Sequence, residues 1–349
     1  MFGIYRFILA LNVVFFHLLK VPAIGSFAVY SFFILSGFLM TTIMHNTYGY
    51  SINGFKKYVL NRFLRLYPVY WTLLSIIVVI VCIIGSDYAS SFLAVILIPS
   101  SIEEWLANLL MLYPRIYPGE YPIRLSPATW ALTLELFFYL LIGLGISKNK
   151  YVTIIWFIVS FVYAAIKIIL GDYDLGYGSI MWASLPFSIG SLLFYYQSSI
   201  YQLINTLGSA GIFIIIFSFV VNITVGAAST LLMGDAAWKL KFIGAIINLM
   251  SSSLMLVLLF NNNFGVSKRK DRFFGDLSYP IYLFHWGGGL LASWILARGE
   301  IVNLDQNRYK FAVFLLGFVI TVTVSYFVNV YINNKIEKKR LKVKSGIKN

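Results

Sequence analysis

The sequence predicts an all-α, polytopic integral membrane protein of about ten transmembrane helices around a central pore, and three observations lead there. Of 349 residues, 60% are hydrophobic and only 11% charged, with a mean hydropathy of +0.82; soluble chains carry roughly 25% charged residues. This composition excludes a water-solvated globule, a disordered chain and a collagen-like fibre. The apolar residues fall in runs near the roughly 20 residues that a spanning helix needs. The cations behind the net charge of +14 lie between those runs, which points to membrane anchoring and excludes a nucleic-acid partner.

The runs predict helices at 4–20, 24–43, 66–84, 129–147, 151–170, 180–197, 209–225, 242–260, 277–297 and 311–333. The first lacks a basic leader and a small-residue cleavage site and contains Arg6 and His17, so it reads as a retained helix and not a signal peptide. Residues 1–334 form one transmembrane domain, and 335–349 a basic cytoplasmic tail. An even helix count puts both termini on one side. With that side inside, the inner connections and tail hold seventeen cations against eight outside, which follows the positive-inside rule and predicts cytoplasmic termini. The longest outer connection, 85–128, mixes five prolines with Trp105, Tyr113, Tyr117 and Tyr121 and allows a helix only over about 103–112. Its aromatic and charged residues suit a sugar, or mark the interfacial belt. Cys82 is the only cysteine, which rules out an intramolecular disulfide and a Cys-based metal site.

Five segments carry chemistry. Arg6 and His17 are eleven positions apart, close to three helical turns, so they share a face about 16 Å apart along the axis. Ionisable groups within a membrane helix face a cavity with a function, or else Arg6 snorkels and His17 makes one interhelical hydrogen bond. Ser36-Gly37 in the second helix permits close backbone approach, which helix packing explains. Arg62 and Arg65 share a helical face at the inner surface, where guanidinium groups clamp phosphate oxygens or anchor the helix to headgroups. Glu135 stands alone in an apolar span and needs a partner, His17 or an arginine being the natural candidates. The segment Leu277-Ser278-Tyr279 to His285 brings a second intramembrane imidazole, either functional or simply packed and hydrogen-bonded.

In this order, over about residues 3–330, the segments resemble the acyltransferase 3 family of integral-membrane O-acyltransferases that modify bacterial surface glycans. Arg6 with His17 resembles its Arg-x10-His element and Ser36-Gly37-Phe38 its Ser-Gly-Phe. The stretch from Arg62 to Pro68 is similar to its Arg-x-x-Arg segment, Thr129-Trp130 to Tyr139 to its Thr-Trp-Ser-Leu-x-x-Glu, and Ser278-Tyr279 to His285 to its Ser-Tyr-x-x-Tyr-x-x-His. The chain departs from the family pattern at Phe2 and Tyr5, where Asp and Leu are usual, and at Leu136, where a second acidic residue often stands.

The resemblance implies an O-acyltransferase of the inner (plasma) membrane. It moves an acyl group, acetyl foremost, from cytoplasmic acyl-CoA to a hydroxyl of a surface polysaccharide or lipid-linked precursor, with no metal and no permanently bound cofactor. It implies His17 and Glu135 as catalytic, with Arg6, Arg62, Arg65, Ser36 and Gly37 binding the donor and Trp130, Tyr139, Tyr282 and His285 binding the acceptor. No hydrolase-like domain is expected after the last helix. The alternatives are a transporter or flippase, or the same chemistry with succinyl or another short acyl group.

Overall fold

The computed structural model describes residues 1–21, 24–113, 123–171, 179–233, 238–262, 264–300 and 310–345. Their regular structure is entirely helical. In chain order the helices are α1 (Phe2–Leu18), α2 (Ile24–Ile43), α3 (Ile52–Ile84), α4 (Ser86–Phe92), α5 (Ile102–Leu110), α6 (Trp130–Leu144), α7 (Lys150–Ile169), α8 (Ile180–Thr206), α9 (Gly208–Met233), α10 (Trp238–Asn261), α11 (Lys268–Ala297), α12 (Lys310–Val328) and α13 (Asn334–Ser345). By length and composition seven spans among the described residues can cross a membrane, formed by α2, α3, α6 with the turn at Pro127–Thr129 before it, α7, α9, α10 and α12; α1 is apolar but only 17 residues long. Each predicted run overlaps one helix. Several helices continue past the apolar run: α3 begins at Ile52 and α11 at Lys268. Backbone hydrogen bonding carries on where hydropathy ends, and this puts Arg62 and Arg65 inside α3.

Helices α2 and α11 form the centre. The apolar window of α2 is 78% buried within the protein, against 22% for α7, whose outward face presents Ile155, Ile158, Val159 and Val162 as a lipid-facing surface would. Helix α1 packs against α11 and α2, α8 lies along α2, and α12 lies along α11. Two close approaches explain how backbones meet without a strong hydrophobic drive between helices in lipid. A Cβ on Gly37 would meet the Phe187 carbonyl of α8, and one on Gly190 the Ile34 carbonyl of α2. Between α1 and α11, a Cβ on Gly3 would meet the Asp271 carbonyl and one on Gly275 the Gly3 Cα. Polar side chains also bond between helices, as where Ser31 meets Ser252 at 2.7 Å and Asn248 donates to the Phe27 carbonyl at 3.0 Å.

Within the 85–128 connection, residues 114–122, including Arg115, Tyr117 and Tyr121, lie outside the described residues. The predicted helix is present as α5. Ser101 caps it, accepting from Glu104 N–H at 3.2 Å, while the Glu104 carboxylate accepts from Ser100 N–H at 2.6 Å and Ser101 N–H at 3.2 Å. The Ser100 and then the Ser101 backbone bonds hold this carboxyl below the usual carboxylate range. Asn108 ties α5 to the chain that follows, donating to the Ile123 carbonyl at 2.8 Å and accepting from Leu125 N–H at 3.0 Å. The α5 carbonyls accept from Tyr67, Tyr70 and Trp71 of α3. The connection is thereby folded back onto the bundle, which brings Arg124 and Pro127 to its end.

Gly190→Ala forces a methyl group into the α2–α8 seam and is expected to destabilise the protein by about 1–3 kcal/mol. Thermal unfolding in detergent reads this as a lowered Tm, and an unchanged Tm would show that the two helices can separate without cost.

Candidate active site

Charged residues from α1, α3, α6, α11 and α13 converge on one cavity of about 490 Å³. Arg6, Arg62, Arg65, Arg272 and Arg340 line it, together with Glu135, Asp276 and Glu337, a formal excess of two positive charges. Each acid of α11 and α13 is engaged. Arg65 reaches Asp276 at 3.1 Å, Arg272 reaches Asp276 at 3.5 Å and Glu337 at 3.6 Å, and Arg340 pairs with Glu337. Arg62 donates to Asn61 Oδ1 at 2.9 Å, while its buried Nε has no partner among the described residues. Arg6 Nε donates to the Phe2 carbonyl at 3.3 Å. Half-buried guanidinium groups with unspent donors suit an anion that brings its own acceptors.

Glu135 lines the same cavity, but its hydrogen bonds go to hydroxyls. Ser36 donates to Oε1 and Tyr139 to Oε2, both at 2.9 Å. Tyr139 lies one turn along α6 on the same face, and Ser36 arrives from α2. The carboxylate therefore has partners within its own cavity, whereas His17, at the far end of α1, bonds elsewhere.

A second cavity, of about 340 Å³, is lined by His17, Leu93, Val95, Arg124, Pro127, Trp130 and Trp286. His17 Nδ1 lies 2.8 Å from His285 Nε2, and His285 Nδ1 lies 2.8 Å from the Tyr282 carbonyl oxygen. The two imidazole planes are 2° apart with centroids 5.0 Å apart. That separation exceeds the N···N distance by about two ring radii, so the rings lie edge to edge in nearly one plane, the geometry of an in-plane hydrogen bond. Trp286 packs beside His17 with centroids 4.8 Å apart.

The two cavities are lined from the same stretch of chain, which forms a wall between them. Along 127–135, Pro127 and Trp130 face the histidine cavity, while Ala131, Leu132 and Glu135 face the arginine cavity. This segment is stapled to α11, because Tyr282 donates to the Ala128 carbonyl at 2.9 Å and Ser126 donates to the Leu283 carbonyl at 2.8 Å.

Arg6, Ser36, Arg62, Arg65, Glu135, Tyr139 and Tyr282 thus meet at the arginine cavity, and His17 and Trp130 at the other. His285 lines neither cavity and is fully buried behind His17. Gly37 lines neither and sits against the Phe187 carbonyl. Sequence reasoning missed Arg272, Asp276, Glu337 and Arg340. Their signals were the i,i+4 pair Arg272/Asp276 just ahead of an apolar run and the i,i+3 pair Glu337/Arg340 within the basic tail, both marks of helices that continue into polar sequence.

A 67-residue stretch is 43% identical to a protein of Aquifex aeolicus (strain VF5) named only "Uncharacterized protein", covering 19% of this chain and 26% of that relative. The chain therefore spans about a quarter of the length of the curated relative it matches. No solved structure matches it. A family model described as an acyltransferase domain matches residues 3–330, a span that contains every residue lining the two cavities except Glu337 and Arg340. With nearly the whole chain matched and its apolar helices long enough to cross a bilayer, this protein belongs to the acyltransferase 3 family and is a multi-pass membrane protein.

Proposed function

We propose that the protein moves an acyl group, acetyl foremost, from acyl-CoA to a hydroxyl of a cell-surface polysaccharide or its lipid-linked precursor. The observation that carries this reading is the pair of adjoining cavities, one rich in arginine and one holding an imidazole among tryptophans, on two sides of a single wall. In this reading ten helices cross the inner membrane with both termini cytoplasmic, so the arginine cavity opens to cytoplasmic acyl-CoA and the histidine cavity to the outer side.

Arg6, Arg62 and Arg65 bind the donor phosphates, which accept from the guanidinium donors that the protein leaves unspent. Ser36, Glu135 and Tyr139 form a polar wall beside the pantetheine arm, and Gly37 contributes by letting α2 and α8 close. The thioester enters past Tyr282, whose bond to the Ala128 carbonyl opens as the acyl end passes. The sugar stacks on Trp130 and Trp286, the faces that aromatic rings offer to the C–H side of a pyranose. His17 Nε2 removes the hydroxyl proton as that oxygen attacks the thioester carbonyl. The new C–O bond forms, the C–S bond breaks, and the thiolate leaves and takes the proton back from the imidazolium. Products are the O-acyl ester and free CoA.

His17→Ala is expected to lower turnover by about 10²–10⁴-fold in protein that remains folded in the membrane. Release of free CoA thiol from purified protein in liposomes measures it. Near-normal turnover would remove His17 from catalysis, and acyl-CoA left intact by wild-type protein supplied with acceptor glycan would favour a transporter.

Arg62→Ala and Arg65→Ala are each expected to weaken acyl-CoA binding by about ten- to hundredfold, the worth of a charge-assisted hydrogen bond of about 1.5–3 kcal/mol. Equilibrium binding of labelled CoA reads the change. Unchanged affinity in both would leave these arginines as membrane anchors.

Orientation is tested by single cysteines at Lys56, Glu103 and Lys338 in a Cys82→Ser background, probed with an impermeant thiol reagent on intact cells. Position 103 is expected to label directly, and 56 and 338 only once the membrane is opened. The reverse pattern would turn the arginine cavity away from cytoplasmic acyl-CoA and overturn the donor route.

A further inference from the structure

We propose that His285 is a positioning residue that sets the tautomer of His17, so that the imidazole lining the second cavity presents a bare Nε2 to the acceptor hydroxyl. The inference deepens the reading of His17 as general base and rests on it. A carbonyl oxygen only accepts, so at 2.8 Å from the Tyr282 carbonyl, His285 Nδ1 must carry the hydrogen and donate it. The Tyr282 carbonyl has a second lone pair and serves its helix at the same time. In a neutral ring with Nδ1 protonated, Nε2 is an acceptor. The contact of 2.8 Å to His17 Nδ1 is then satisfied only if His17 donates from Nδ1. His17 Nε2 is left unprotonated, on a ring that lines the cavity shared with Trp130, Trp286 and Arg124. Which nitrogen of a histidine holds the proton is decided by the hydrogen bond that the other makes, and here the chain of decisions ends on a backbone carbonyl that cannot change sides.

The near-coplanar rings give this arrangement a second use. When His17 Nε2 takes the hydroxyl proton, the ring carries a hydrogen on each nitrogen and a positive charge. Its Nδ1–H already points at the lone pair of His285 Nε2, so the imidazolium forms against an acceptor that is in place before the proton arrives. The proton returns from Nε2 to the departing thiolate, and the pair ends in its starting tautomers. A carboxylate does this work in the serine-protease arrangement; here a neutral imidazole does it, which avoids burying a further charge between α1 and α11. Glu135 is not needed for this role, since its oxygens serve Ser36 and Tyr139.

The test uses full-length protein in nanodiscs, with ¹⁵N-labelled histidine and with turnover measured in parallel. The chain has three histidines, so the ring-nitrogen signals are few and single substitutions assign them. In wild-type protein His17 is expected to show a protonated Nδ1 and an unprotonated Nε2. His285→Phe, which keeps the bulk and removes the acceptor, is expected to release His17 into a mixture of tautomers and lower kcat by about 10²–10⁴-fold, with KM for the donor little changed. His285→Gln, whose amide oxygen accepts from His17 Nδ1, is expected to recover at least about tenfold of that loss. A wild-type His17 signal with the proton on Nε2, or turnover by folded His285→Phe within about threefold of wild type, would overturn the proposal. If His285→Phe fails to fold, the wild-type tautomer alone decides. Full activity in His17→Ala would instead refute the reading of His17 as base, and an inactive His17→Ala beside an active His285→Phe would refute only the role given to His285.

Discussion

The pairing of α1 with α11 is the contact on which the rest of the site depends. At one end Gly3 and Gly275 let the two backbones touch, and the Asp271 carboxylate accepts from Ile4 N–H at 2.9 Å, satisfying one of the donors that a helix start leaves open. At the other end His17 and His285 meet at 2.8 Å. A helix pinned at both ends cannot slide or rotate. Arg6 is thereby held in one cavity and His17 in the other, eleven positions and about 16 Å apart along one helix.

Charge inside this bundle is organised by the same need for partners that governs any polar group removed from water. Asp276 takes Arg65 and Arg272, Glu337 takes Arg272 and Arg340, and Glu135 takes two hydroxyls. What remains is an excess of guanidinium donors around one cavity. Helix α13, beyond the matched family span, helps to build that cavity: Arg340 Nη2 donates to Asn61 Oδ1 at 3.2 Å, and Asn61 returns a bond to the Arg340 carbonyl at 3.3 Å. The segment that the sequence presents as a basic tail thus supplies part of the wall of the arginine cavity.

The wall between the cavities is short and tied down by hydroxyls. Tyr282 and Ser126 hold the 126–128 turn against α11 through carbonyl acceptors, and the next two turns of chain present Trp130 to one cavity and Glu135 to the other. In the proposed reaction this division keeps the phosphate end of the donor apart from the general base, and only a thin acyl-bearing arm has to pass. A hydrogen bond from one tyrosine is a barrier of suitable size, since its net worth of about 1 kcal/mol is small beside the binding energy of a polyphosphate donor.

The sequence by itself determined the class of solvent, the helical character and the places where ionisable groups enter the apolar runs, because hydropathy and period are local properties. Arg6 and His17 were legible as a pair on one face for the same reason: their spacing is a property of a single helix. Partnership was not legible. His17 is a natural sequence-level partner for Glu135, yet the packing of α1 on α11 gives it His285 instead, through a hydrogen bond that spans 268 residues of chain, while Glu135 bonds Ser36 and Tyr139. Gly37 was read both as packing and as donor binding, and the Phe187 carbonyl on α8 settles what its missing side chain leaves room for. Arg272 and Arg340 lay in stretches whose polarity hides them from any search for apolar runs, yet they close a cavity once α11 and α13 continue as helices past the apolar edge. Which face of a helix meets which neighbour depends on crossings between segments far apart in the chain, and that is where tertiary structure alone decided the site.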